Sequence, residues 1–297
     1  MMRHQGRHWV AAGALATVAL VLVSACGPPP TPAARTSVSR DIAHAPGVTL
    51  DVYAPAAAGH APVLVLLHGC CGGKEDLAQL AEALAARGAV VFNASWRSMN
   101  DGGRYPLAYQ QAACAVSFAR ARAASYGGDP GRVALLGWSD GALLAAVVAN
   151  AGDRFGGACA ARGAPARPDI LIGVAGFFGW PPGPPGRVDP RYVSPRTIRF
   201  FGGTPARVPE AWAAGNPYTQ LGGNPALEVR LVAADGDPLL ADSRRFLAAL
   251  RRAGHPATLV VVAAASHQGL LLPRTSQGRV TVREALAAAT GPSRAAE

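Results

Sequence analysis

Short apolar runs alternating with longer amphipathic segments set the rhythm of this chain. Pro62-Val-Leu-Val-Leu-Leu-His68 is the first continuous apolar run, the pattern of a strand buried on both faces. Further short apolar runs over 89–95, 133–136, 169–175, 228–234 and 257–263 read as strands. Between them, 75–87, 107–126, 142–149 and 241–253 read as helices, and a last helix covers 280–289. Val48-Thr-Leu-Asp-Val-Tyr53 alternates like an antiparallel edge strand. Strand and helix in repeated succession predict an α/β domain with a mostly parallel central sheet and helices on both faces.

The ends and one internal stretch break this rhythm. Residues 1–25 carry Arg3 and Arg7 ahead of an apolar run from Trp9 to Val23, which fits a secretory signal. The run closes on Val23-Ser24-Ala25-Cys26, which resembles the lipobox of bacterial lipoproteins. That resemblance implies cleavage before Cys26, lipidation of its thiol, and an exported protein anchored to a bacterial membrane. Residues 26–46, rich in proline and alanine, read as a tether. The folded domain is expected over 47–290, and 291–297 as a disordered tail. Residues 176–226 lack clear periodicity and hold many prolines and aromatics, so they read as a lid-like insertion with a short helix near 209–214.

Composition changes the picture little. The formal charge is +10, and removing Arg3 and Arg7 with the signal leaves 26 positive against 18 negative side chains. Lys74 is the only lysine. Arginine, alanine and glycine are abundant together, as in a chain from a GC-rich genome, and no basic stretch is interleaved with aromatics, so no nucleic-acid partner is expected. Five cysteines are present. With Cys26 assigned to lipid, and Cys70 and Cys71 adjacent in a loop, a Cys114–Cys159 disulfide is the expected pairing in an exported protein.

The candidate chemistry lies at strand ends. Gly137-Trp-Ser139-Asp-Gly141 is a G-x-S-x-G pattern between an apolar strand and an alanine-rich helix, the context of a nucleophile elbow. A serine hydroxyl needs a base to take its proton, and that base needs a carboxylate to orient it. In the order Ser, acid, His, the base is His267, beyond the last strand, and the acid is Asp237, with Asp235 and Asp242 as alternatives. An oxyanion requires two amide donors. Asp140 supplies one, and Cys70 the other, with Cys71 as the alternative. Trp138, Trp96, Phe177 and Phe178 are candidates for the substrate pocket wall.

These residues carry a resemblance. Residues 48–289 resemble an α/β-hydrolase, and are similar to bacterial carboxylesterases of the BD-FAE and hormone-sensitive-lipase groups and to dienelactone-hydrolase-like proteins. Tyr126-Gly-Gly-Asp-Pro-Gly-Arg132 ahead of the elbow, Asn216-Pro217-Tyr218, and Ala253-Gly254-His255 all match that pattern. The resemblance implies a triad of Ser139, Asp237 and His267, a small-molecule ester substrate, and neither cofactor nor metal. His68-Gly69-Cys70-Cys71 departs from the His-Gly-Gly-Gly of many relatives, and Asp140 places a carboxylate beside the nucleophile. A peptidase or amidase on the same fold, and a non-catalytic ligand-binding lipoprotein, are the rival expectations. The sequence does not indicate the oligomeric state.

Overall fold

Strand β3 (Ala61–Leu67) is buried along almost its whole length, and its side chains divide between two cores. Val63, Val65 and Leu67 enter one hydrophobic cluster and Leu64 and Leu66 the other. That is why the segment reads as an unbroken apolar run: both faces of its sheet are covered. The computed structural model describes residues 36–56, 59–159, 163–184 and 186–291. The expected signal segment, Cys26 and the tether as far as residue 35 lie outside the described residues, as do residues 292–297 of the tail.

Around β3 the described residues build an eight-stranded sheet. Its strands are β1 (Thr36–Ala45), β2 (Val48–Pro55), β3, β4 (Val90–Ala94), β5 (Gly128–Trp138), β6 (Ile170–Val174), β7 (Glu228–Ala234) and β8 (Ala257–Val262). The spatial order is β1-β2-β4-β3-β5-β6-β7-β8. β2 runs antiparallel to both of its neighbours, and every pair from β4 to β8 is parallel.

The helices are α1 (Ala78–Ala85), α2 (Leu107–Arg122), α3 (Asp140–Asn150), α4 (Pro195–Phe201), α5 (Pro209–Ala214), α6 (Leu240–Arg252) and α7 (Ser276–Ala289). One face of the sheet packs against α2, α3 and α6 through residues such as Val116, Leu144 and Phe246. The other face packs against α1 and α7 through Leu80, Leu84, Val282 and Ala285. Among the described residues no helix is long and apolar enough to cross a membrane.

Two expectations need correction. The tether expected to residue 46 ends earlier, because Thr36–Ala45 forms the edge strand β1. Six of its ten residues are exposed and its register shifts between Ser39 and Ile42. A solvated, bulged edge strand needs no apolar alternation, so the pattern on which strands are recognised was missing. Within the insertion, α4 accompanies the expected α5. Ser194 caps α4 in a capping box with Thr197, and Pro195 occupies its first turn. The insertion is no bare loop: Trp180, Phe200, Phe201 and Trp212 pack together and join the core of the α2/α3 face.

The loop after β3 is anchored at its far end by a buried cation. Lys74 is 5% exposed and pairs with Asp51 of β2 and, at 2.6 Å, with Asp41 of β1. Burial pulls its ammonium pKa down, but the bonds to Asp41 and Asp51 outweigh burial and hold it above the ordinary value. Asn93 of β4 donates to the Lys74 carbonyl at 2.7 Å. The only lysine of the chain therefore fixes where the loop 68–73 must rejoin the fold.

His44 of β1 is 2% exposed, and burial pushes its imidazole down to about 4. Below its ordinary value of about 6.5 the unfolded chain takes up a proton that the folded chain refuses. Stability is therefore complete above pH 6.5 and is lost as the pH falls toward 4. From pH 7.5 to pH 5 this group alone should remove about 2 kcal/mol. Denaturant titrations at the two pH values should show that loss in the wild type and a smaller one in His44→Leu; equal losses would contradict the assignment.

Candidate active site

The turn from β5 into α3 places Ser139 where no regular structure would hold it. Its backbone has φ 56° and ψ −122°, a region that L-residues occupy only when their surroundings impose it. The amide of Ser139 donates to the Val174 carbonyl at 3.1 Å, and its carbonyl accepts from Ala142 at 3.0 Å. The flanking glycines make the turn possible. A Cβ at Gly137 would lie 2.1 Å from the Gly141 carbonyl oxygen, and one at Gly141 would lie 2.3 Å from that of His68. The helix thus begins in direct backbone contact with the end of β3.

On the other side of the elbow, β8 delivers His267. Its Nδ1 donates to Asp237 Oδ2 at 2.7 Å. Asp237 follows β7; its side chain is 2% exposed against 25% for that of His267. Asp237 Oδ1 accepts from the Leu239 amide at 2.9 Å, so both carboxylate oxygens have donors. With Nδ1 committed to Asp237 as donor, Nε2 is left as the acceptor, which is the tautomer a general base needs.

Asp235 and Asp242, the alternative acids, are bonded to other partners, although Asp242 also lines the cavity beside the elbow. Asp235 accepts the amides of Ala264 and Ala265 at 3.0 and 3.3 Å, and the first of these bonds is the main cause holding its carboxyl below the ordinary range. It ties the end of β7 to the loop that carries His267. Asp242 lies in the first turn of α6 and pairs with Arg245.

Trp138 joins the two halves. Its ring lies 5.0 Å from that of His267, and its indole N–H donates to the His267 carbonyl at 3.2 Å. A Cβ added at Gly69 would meet this ring at 2.9 Å and Ser139 Cβ at 3.2 Å. The residue before the elbow serine therefore presses on the histidine loop and on the loop after β3 at once. Trp138 was expected in the pocket wall, but it does not line the cavity; its ring is committed to this junction.

The loop after β3 is held by His68, which is 1% exposed. Its Nδ1 bonds the Gly69 carbonyl at 2.8 Å, and its Nε2 accepts the Trp96 amide at 3.3 Å. The Trp96 indole stacks on the imidazole and donates to the His68 carbonyl at 3.0 Å. Burial holds the imidazole below its ordinary pKa, so the ring is kept neutral with Nδ1 as donor. Cys70 follows, half-buried, and Cys71 is exposed. The Cys70 thiol faces the Asp140 carboxyl; burial, then Cys71 and Asp140, push that thiol up to about 12. Burial also raises Asp140, against the opposing influence of Cys70, Arg196 and His267. The amide of Asp140 opens α3 and so has no acceptor within its own helix.

Beside the elbow lies a cavity of about 360 Å³ whose walls include Asp140, Leu143, Trp96, Phe177, Tyr192 and Phe200. Trp96 and Phe177 were expected here. Phe178 was not borne out: it is fully buried and stacks on Phe246 of α6 at 4.6 Å. Phe177 and Phe178 are neighbours in the loop after β6, yet one lines the cavity and the other enters the core. Of the aromatics in the 176–226 insertion, Trp180, Tyr192, Phe200 and Phe201 join Phe177 in the wall; Tyr109, Leu143 and Leu144 line it too and were missed. The aromatic content of the insertion was visible in the sequence, but not which rings face inward. Away from the site, Cys114 of α2 is joined to Cys159 by a disulfide.

Comparison with known proteins bears on this arrangement. Residues 50–179 match the family model described as BD-FAE. No curated protein matches the chain. Among solved structures, the chain is similar to a truncated carbohydrate esterase from gut microbiota, with 16% identity, TM-score 0.69, and coverage of 88% of this chain and 99% of that one. It is similar to esterase 2 of Thermogutta terrifontis with propionate bound, at 21% identity, TM-score 0.63, and 85% and 92% coverage. Esterase B of Lactobacillus rhamnosis gives 17% identity, TM-score 0.69, and 86% coverage of each chain.

Proposed function

We propose that this chain, an α/β-hydrolase by fold with a BD-FAE-like segment over residues 50–179, hydrolyses carboxylic esters through an acyl-enzyme. The observation that carries the reading is the Asp237–His267 pair, bonded at 2.7 Å and pressed by Trp138 against the elbow that holds Ser139. Ser139 Oγ attacks the ester carbonyl carbon while His267 Nε2 takes its proton. Asp237 keeps the imidazole in register and stabilises its protonated form. The amides of Cys70 and Asp140 hold the negative oxygen of the tetrahedral intermediate, with Cys71 as the alternative to Cys70. His267 then returns the proton to the departing alcohol, and a water molecule, activated by the same histidine, releases the acid.

The cavity of about 360 Å³ lies within the range of small-molecule sites. Together with the propionate held by the Thermogutta esterase, it supports a short acyl group. The test is a panel of p-nitrophenyl esters of graded acyl length, with the matching anilides. Short esters should be hydrolysed and anilides hardly at all. Ser139→Ala should lower kcat by about 10⁴-fold or more, and Asp237→Asn by about 10³- to 10⁴-fold. Anilides cleaved faster than esters would move the reading to an amidase. A Ser139→Ala rate equal to wild type would end it.

We further propose export and lipid anchoring at Cys26. The support is the basic start, the apolar run and the Val23-Ser24-Ala25-Cys26 sequence, together with the Cys114–Cys159 disulfide, a bond suited to an oxidising compartment. In a bacterial host, labelled palmitate should enter the wild-type chain and the protein should sediment with membranes. Cys26→Ala should abolish both; label retained in that variant contradicts the assignment.

A further inference from the structure

The mechanism uses the amides of the loop after β3 and leaves its two adjacent thiols idle. The Sγ atoms of Cys70 and Cys71 lie 3.0 Å apart, the Cys71 thiol donating to that of Cys70. Cys71 sits at φ 66°, so the loop already carries backbone strain at this residue. The Asn100 side-chain amide donates to Cys71 Sγ, and Arg196 of α4 donates to the Asn100 side-chain oxygen. The two thiols differ in what they face. Cys71 is exposed beside these donors, and Cys70 is half-buried beside the Asp140 carboxyl.

We propose that Cys70 and Cys71 form a reversible thiol–disulfide switch on the oxyanion loop, closed by exchange with a small-molecule disulfide. Its chemistry stands on the thiol geometry alone; its effect on catalysis rests on the ester-hydrolase reading. Cys71, exposed and next to a donor, gives up its proton to solvent and attacks one sulfur of the small disulfide. That S–S bond breaks, and the first thiolate leaves and takes up a proton. Cys70 then loses its proton and attacks Cys71 Sγ of the mixed disulfide, expelling the second thiolate. Two protein thiols are oxidised to one disulfide, and one small disulfide is reduced to two thiols. Burial pushes the Cys70 thiol up to about 12, which suits it to the second, intramolecular step and not the first.

The closed form should reopen readily. Neighbouring Cα atoms stand about 3.8 Å apart across a trans peptide, below the roughly 4.4–6.8 Å that disulfides ordinarily span. A ring so constrained is strained and easily reduced. The Cys114–Cys159 pair has its Cα atoms 4.9 Å apart, within the ordinary span, and both residues are buried. One chain thus holds a structural disulfide and a labile pair. Closing the pair changes the backbone dihedrals at Cys70, turning the Cys70 amide on one side and the Cys71 amide on the other, and draws the Cys70 thiol away from Asp140. The site loses an aligned amide donor and leaves a carboxyl without its thiol partner beside the developing negative charge.

The experiment places the folded wild-type protein in glutathione disulfide, or in dithiothreitol, and follows intact mass, peptide maps and hydrolysis of a short p-nitrophenyl ester. The oxidised protein should lose two hydrogens, give a Cys70–Cys71 crosslink, and hydrolyse the ester roughly 100-fold more slowly, the cost of one oxyanion donor. Dithiothreitol should restore the rate while Cys114–Cys159 stays intact. Cys71→Ser should show one rate in both buffers, whatever that rate is, and Cys70→Ser should stop at a glutathione adduct on Cys71. Two free thiols persisting in glutathione disulfide overturn the proposal, as does crosslinked protein working within about threefold of the reduced form. If reduced wild type hydrolyses no ester, the ester reading falls, and the crosslink map alone decides the pair.

Discussion

A single strained residue, Ser139 at φ 56°, is the constraint on which the site depends. Such a conformation costs of the order of 1–3 kcal/mol and persists only where the surroundings leave no alternative. Here they leave none. The Gly137 and Gly141 backbones are in contact, and Gly141 rests on the end of β3, so any Cβ at either position would push α3 off the sheet. What this close approach secures is a serine at the tip of a sharp turn, with the unpaired amides of a helix start directly behind it. Strain, close packing and electrostatic preorganisation are here one feature.

The rest of the site is assembled by ties to that turn. Asp237 holds His267 by its ring nitrogen, Asp235 holds the backbone of the same loop, and Trp138 clamps the loop's carbonyl. Across the elbow, His68 and Trp96 lock the start of the other loop, and Lys74 with Asp51 locks its end. Between these fixed points stand Cys70 and Cys71. Helix α4 closes the cavity with Phe200 and Phe201, which are themselves part of the core, and Trp212 of α5 packs behind Phe201.

Much of this was legible in the sequence because burial on both faces of a sheet writes itself as apolar runs. β3 to β7 are such runs; β8 is an apolar run too, although it is an edge strand with only Ala257 and Val262 buried. The side chains beyond the strand ends, Ser139, Asp237 and His267, follow from chain order once the elbow is recognised. Where a segment is not held by two-sided burial, the signal fails. β1 is a solvated edge with no apolar alternation, and reads like the tether before it. α4 carries its own start signal in Ser194-Pro195, but its seven residues are too few to show periodicity. Trp138 was misplaced for another reason: sequence adjacency to the serine gives proximity but not direction. Only the packed structure turns its ring to His267 instead of the cavity, and buries Phe178 while Phe177 remains in the wall.

Everything proposed for this site turns on Ser139 being a nucleophile driven by His267. A fluorophosphonate probe followed by intact mass and peptide mapping tests it most directly, because the probe reacts with activated serine hydroxyls whatever the natural substrate. One adduct per chain should form, mapped to Ser139, absent in Ser139→Ala and formed at least about 100-fold more slowly in a folded His267→Ala variant. An adduct on another serine, or labelling of Ser139 at the wild-type rate without His267, would contradict it.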